Sequence, residues 1–179
     1  MALSPKVPGA ITNGQRKATK PRNDAITIVT RDRIPTRMAT AALVTLIKKN
    51  FYEGTHCWRM SNAASAEFLQ CGATKSDGTG DDGFQFGPLE NVPANNTYAT
   101  GVIAMARATS AYSQATQFFI VYGPTVLDGS TGGYTVVGKV TSGLATMEKN
   151  ITDKGLTAVS STTDGSPKVP TTITGATIK

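Results

Sequence analysis

The sequence predicts a strand-rich fold, either α+β or an all-β barrel capped by two helices. Three observations carry this. Short runs of β-branched and aromatic residues recur through the middle of the chain, split by turns dense in Gly, Ser, Thr and Asp. Helical spacing is confined to one stretch before these runs and a shorter one after them. The chain then closes on a further β-branched run, TTITGATI.

Each element can be justified in order. Residues 1–24 are rich in Pro, Gly, Lys and Arg and lack periodicity, so they read as an extended basic tail ahead of a single domain, residues 25–179. Residues 25–30 (AITIVT) alternate and predict a first strand. Pro35 breaks the chain, and Thr36 offers an N-cap for a helix running to about Lys49. Met38, Ala41, Ala42, Leu46 and the pair Val44/Ile47 fall on helical spacing. Lys48 and Lys49 sit at its end, where the helix dipole favours cations. Strands follow at residues 57–60, 68–70, 101–107, 117–122 and 135–140, with loops at 73–83 and 128–133. A second helix is expected over 144–152 and a last strand over 171–178.

Composition narrows the function classes. A chain of 179 residues suits one domain with a real core, since ~150 residues bury roughly 70% of their unfolded surface. No apolar run approaches the ~20 residues that span a bilayer, so no membrane contact is expected. The first residues contain no apolar leader segment, and the expected compartment is the cytoplasm. The net charge of +6 is unevenly placed. Lys6, Arg16, Lys17, Lys20 and Arg22 all precede the first acid, Asp24, and the other 13 basic residues face 12 acids. The basic character therefore belongs to the tail and not to a groove. Cys57 and Cys71 are too few for a disulfide framework and are expected by default to be buried thiols; a bridge between them requires their strands to pair, which sequence leaves open. His56 is the only histidine, and no CxxC or HxxxH spacing exists, so neither a metal nor a cofactor is expected.

Three ordered segments resemble the cyclophilin family. FYEGTHCWRM (51–60) is similar to that family's F-Y-x-G-x-x-F-H-R turn and strand. FLQCG followed by DGTG (68–72 and 77–80) is similar to F-M-x-Q-G-G-D … G-T-G. GVIAMA … QATQFFI (101–106 and 114–120) is similar to G-x-L-S-M-A-N … S-Q-F-F-I. VLDG (126–129), YTVVGKV (134–140) and the terminal TTITGATI add support. The eleven-residue step from Arg59 to Gln70, with two cysteines nearby, is similar to an actinobacterial branch. The resemblance spans residues 25–179 and implies a closed antiparallel eight-stranded barrel capped by two α-helices.

It also implies an activity, peptidyl-prolyl cis-trans isomerisation in protein folding, on X–Pro-containing polypeptide segments. The resemblance makes Arg59 the catalytic cation aimed at the prolyl nitrogen and Gln70 its holder and a contact for the substrate backbone. Phe68, Met105, Phe119 and Leu127 would line the proline pocket. Ala106 and Arg107 would pair with substrate backbone, and Gln117 and Tyr134 would complete the binding residues. Taken one at a time these residues say little, because large apolar residues are usually core and a single Arg is usually a surface charge.

The rim departs from the family pattern. Arg107 replaces Asn, Trp58 replaces His beside the arginine, Glu67 replaces an aromatic residue, Ala73 replaces Asp and Val137 replaces a core Phe. Residues 108–116 (ATSAYSQAT) replace the usual loop with one residue more. Val126 stands where many members have the Trp that contacts cyclosporin, so drug binding is expected to be weak. The altered rim motivates a second reading, a cyclophilin-like binding or structural module with little catalysis, held in a larger, virion-type assembly through its groove or residues 1–24. Nucleic-acid binding ranks last. Five cations give only a modest, salt-sensitive affinity, and no aromatic is interleaved in the tail for stacking.

Overall fold

The computed structural model describes residues 27–29 and 37–178. Turn-rich segments cut this stretch into short strands. In chain order the elements are β1 (Thr27–Val29), α1 (Arg37–Lys48), β2 (His56–Ala63), β3 (Ala66–Ala73), β4 (Thr97–Tyr98), β5 (Val102–Met105), β6 (Phe118–Val126) and β7 (Val136–Ser142). They continue with α2 (Leu144–Asn150), a 3-10 turn (Thr152–Lys154), β8 (Leu156–Ser161), β9 (Asp164–Pro167) and β10 (Thr171–Thr172). Neighbouring strands pair antiparallel in the order β1-β7-β5-β6-β3-β2-β9-β8. β4 joins β6, and β10 joins β2.

Alternation along the central strands decides which side chains face inward. A strand presents successive residues to opposite faces. Leu69 and Cys71 of β3, Ile103 and Met105 of β5, and Phe118 and Ile120 of β6 are buried in one cluster. Phe68, Ala104, Phe119 and Val121, interleaved with them, are buried in a second. The first cluster is the interior, because Ala39 and Leu46 of α1 and Met147 of α2 pack into it. Each large apolar side chain buried there contributes roughly 1.5–3 kcal/mol. The second cluster lies on the outer face and floors the groove described below.

The expected plan of antiparallel strands with a helix near each end is the observed one. Several particulars differ. The hydrogen-bonded path is open among the described residues, running from β1 to β8 without closing. The edge of β2 opposite β3 is divided between β9, paired at Met60 and Ser61, and β10, paired at His56 and Cys57. The β8–β9 hairpin thus occupies the edge that a closing strand would need. The sequence reading had no strand there. It also extended the last strand to 178, whereas the ladder stops at Thr172.

The expected cap of α1, Thr36, lies outside the described residues. The first turn of α1 carries no acid of its own. Glu90, far along the chain, instead accepts the backbone N–H groups of Met38 at 3.2 Å and Ala39 at 3.1 Å. A carboxylate there satisfies orphan donors and complements the helix dipole.

Candidate active site

Register builds the site. Residues directly opposite each other on paired strands share a face. Arg59 lies opposite Gln70, Gln70 opposite Phe119, and Phe119 opposite Ala104, one row across β2, β3, β6 and β5. The next row holds Ser61, Phe68 and Val121. Both rows stand on the outer face.

Arg59 reaches this face only through an irregularity in β2. Cys57 pairs with Cys71, but Arg59 pairs with Gln70, so Trp58 is an extra residue. An unbroken ladder would set Arg59 opposite Leu69, on the interior face with Cys57. The bulge moves it to the groove. A disulfide joins Cys57 to Cys71 directly behind the bulge.

Hydrogen bonds then link the polar side chains. The Arg59 guanidinium donates from Nη1 to Gln70 Oε1 at 3.4 Å and lies 5.2 Å from the centre of the Phe68 ring. Its Nε and Nη2 donate to the Asp164 carboxylate. Gln70 Nε2 donates to Gln117 Oε1 at 2.9 Å, and Trp58 Nε1 donates to the same oxygen at 2.8 Å. Gln117 Nε2 donates to the Gly78 carbonyl, which ties the 73–83 loop to the site. Gly78 has positive φ, and a Cβ there would run into the Trp58 indole.

The apolar floor is aromatic. Phe119 lies 5.5 Å from Phe68 and meets the ring of Tyr134 edge-on at 5.4 Å. Tyr98 packs beneath both Phe119 and Tyr134. The Tyr98 hydroxyl accepts the Tyr134 N–H at 2.7 Å, and burial pushes its phenol above the ordinary value. Leu127 and Ala106 complete the walls. The resulting open groove has a volume of about 640 Å³.

Nine of the ten residues expected from sequence line this groove: Arg59, Phe68, Gln70, Ala106, Arg107, Gln117, Phe119, Leu127 and Tyr134. Met105 does not. It is fully buried in the interior cluster, one residue out of phase with Ala104 and Ala106. The Arg107 side chain donates from all three nitrogens to the protein: to the carbonyls of Gly133, Ala108, Thr109 and Thr131 and to the Thr131 hydroxyl. It thereby braces the two loops flanking the groove and sits 5.0 Å from the Tyr134 ring centre.

Sequence reasoning missed Asp81, Asp128 and Asp164, which also line the groove. The Ser130 hydroxyl and then its amide hold the Asp128 carboxyl below the usual carboxylate range. Asp128 fell within the VLDG segment but was given no role there, and no motif distinguished Asp81 or Asp164 from turn residues. No group of residues suited to holding a metal occurs among the described residues, and no helix there is long and apolar enough to cross a membrane.

A sequence model described as cyclophilin type peptidyl-prolyl cis-trans isomerase/CLD matches residues 25–178. The chain belongs to this family. Among cyclophilin-type relatives, one named "Probable peptidyl-prolyl cis-trans isomerase B" in Mycobacterium tuberculosis is 35% identical over 144 residues, covering 74% of this chain and 44% of the relative. Its namesake in Mycobacterium leprae is 33% identical, covering 74% of this chain and 46% of that one. The chain thus spans less than half the length of these relatives. Their mycobacterial origin agrees with the actinobacterial branch. A solved cyclophilin-type isomerase from Cryptosporidium parvum, crystallised in the presence of the dipeptide Ala-Pro, matches with a TM-score of 0.63 at 19% identity. The match covers 84% of this chain and 89% of that one. A second structure of that protein matches with a TM-score of 0.59 at 20% identity, covering 79% and 83%. These likenesses show the cyclophilin fold.

Proposed function

We propose that this chain is a peptidyl-prolyl cis-trans isomerase acting on X–Pro bonds in polypeptide segments. The carrying observation is the placement of Arg59 above Phe68 and beside Gln70, at the edge of an apolar floor. Rotation about a peptide C–N bond meets a barrier of about 18–20 kcal/mol because resonance must be broken. No covalent bond has to be cleaved. In the twisted amide the nitrogen regains a basic lone pair. A donor aimed at that nitrogen stabilises the twisted state more than either planar one. Arg59 is this donor, since a guanidinium stays charged and offers several directed N–H groups.

The remaining roles follow from position. Phe68, Phe119, Leu127 and Tyr134 grip the proline ring by apolar contact. Gln70 and Gln117 steady the arginine side of the groove and meet substrate backbone. Ala106 and Arg107 present backbone along the opposite wall. Met105 acts from behind, as packing under the floor. The substrate class agrees with the Ala-Pro dipeptide present with the Cryptosporidium relative. The basic composition of residues 1–24 supports a role for this segment in binding an assembly partner. The cytoplasm remains the proposed compartment. A Cys57–Cys71 bond that survives alkylation trapping of native material would instead place the protein in an oxidising one.

The test is exchange NMR on a short X–Pro peptide, with the intact chain and with Arg59→Ala. The expected outcome is rapid cis/trans exchange that falls on the order of a hundredfold in the variant while its amide spectrum stays folded. No acceleration by the intact chain would leave a cyclophilin fold used for binding.

A further inference from the structure

We propose that Asp164 is the positioning residue of Arg59, setting its guanidinium plane before substrate arrives. This rests on the isomerase reading above and assigns it a part that neither motif nor resemblance supplied. Asp164 opens β9 and lies opposite Ser61 of β2, which in turn lies opposite Phe68. It therefore stands on the groove face, one row from Arg59. The β8–β9 hairpin holds it there through a turn at Thr162 and Thr163, and the Asn62 N–H donates to the Thr163 carbonyl.

The contact is side-on. Arg59 Nε donates to Asp164 Oδ1 at 3.0 Å and Oδ2 at 3.1 Å, and Nη2 donates to Oδ2 at 2.8 Å. Ser160 Oγ donates to Oδ1 at 3.1 Å and anchors the carboxylate in turn. Gln70, the expected holder, contributes a single bond of 3.4 Å. A two-point contact fixes the plane of a guanidinium; a single long bond leaves it free to rotate. Orientation therefore falls to Asp164.

The geometry also leaves donors for the substrate. Of the five guanidinium N–H groups, Asp164 takes those on Nε and one on Nη2, and Gln70 takes one on Nη1. One N–H on each terminal nitrogen remains. These are the donors available to a prolyl nitrogen, and the carboxylate engages the opposite edge. With the arginine already ordered, its immobilisation is not deducted from transition-state binding.

The experiment compares the full chain with Asp164→Asn and Asp164→Glu. It measures X–Pro exchange at saturating peptide, peptide affinity, and the ¹⁵N relaxation of the Arg59 Nε–Hε group. Asparagine cannot accept at two oxygens, so maximal exchange should fall on the order of tenfold, with affinity changing less than about twofold. The Nε–Hε order should drop, and Asp164→Glu should recover part of both. Unchanged exchange with an equally ordered Nε–Hε in Asp164→Asn would overturn the proposal. So would faster exchange, which would make the carboxylate a restraint. If the intact chain shows no exchange, the isomerase reading falls, and the relaxation data alone decide. A drop in order in Asp164→Asn then sustains the positioning role, and no drop overturns it.

Discussion

Two arginines in one groove end with opposite fates, and the difference lies in their neighbours. Arg59 retains donors toward open space, whereas Arg107 directs Nε, Nη1 and Nη2 at backbone carbonyls of Ala108, Thr109, Thr131 and Gly133. A cation this fully engaged has no donor to spare for a substrate. Its contribution is to hold two loops at a set separation and to back the Tyr134 ring. Arg107→Ala should therefore act first on stability, costing about 1–2 kcal/mol after allowance for partial exposure. A thermal scan should show a lower midpoint, roughly 2–4 °C per kcal/mol for a domain of this size. Arg107→Lys should not restore it, since one ammonium cannot span carbonyls from two loops. An unchanged midpoint in the alanine variant would mean that the bonds are not formed in solution.

Among elements, α1 shows how a helix can depend on a residue far from it in sequence. Its interior residues Ala39 and Leu46 bind it to the core, but its first N–H groups rely on Glu90. Glu90 is itself held, because its backbone N–H donates to Thr135 Oγ1 at 3.0 Å. Loss of a helix cap typically costs about 1 kcal/mol. Glu90→Ala should lower stability by that amount and speed hydrogen exchange at the Met38 and Ala39 amides. Glu90→Gln, which keeps an acceptor without charge, should lie between. Equal exchange in all three proteins would show that another group supplies the cap. β8 and β9 make the complementary point. They read poorly as strands because LTAVSS is exposed along almost its whole length and Ser and Thr dominate the turn. β9 pairs with the edge of β2 and β8 pairs with β9, a partnership that no local pattern announces.

For the whole molecule, the disulfide between β2 and β3 is the one covalent cross-link among the described residues. It closes 14 residues of chain beside the bulge that aims Arg59. A loop of that size is worth about 3 kcal/mol in the chain-entropy account of disulfides, a model-dependent figure. Denaturant unfolding with and without reductant should show the reduced protein melting earlier by an amount of this order. Coincident curves would show that the fold does not draw on the link. Both cysteines are buried in the interior cluster, so reduction is expected to require partial opening of the β2–β3 pair.

The sequence by itself determined the strand-rich class, the two helices and the family. Nine of the ten residues expected around the groove also line it. These were legible because period-two alternation and ordered motifs are local signals, carried by residues such as Phe68, Gln70 and Phe119. Tertiary structure alone decided the rest. It turned Met105 inward, because its partners in β6 and β7 set the phase of β5. It turned Arg59 outward through the Trp58 bulge, supplied Glu90 to a distant helix and brought Asp164 to the arginine. The placements of Met105, Arg59 and Asp164 depend on which strands lie side by side and in what register, while Glu90 reaches its helix from a loop. A one-residue change in register exchanges interior for surface, and only the assembled sheet specifies that register.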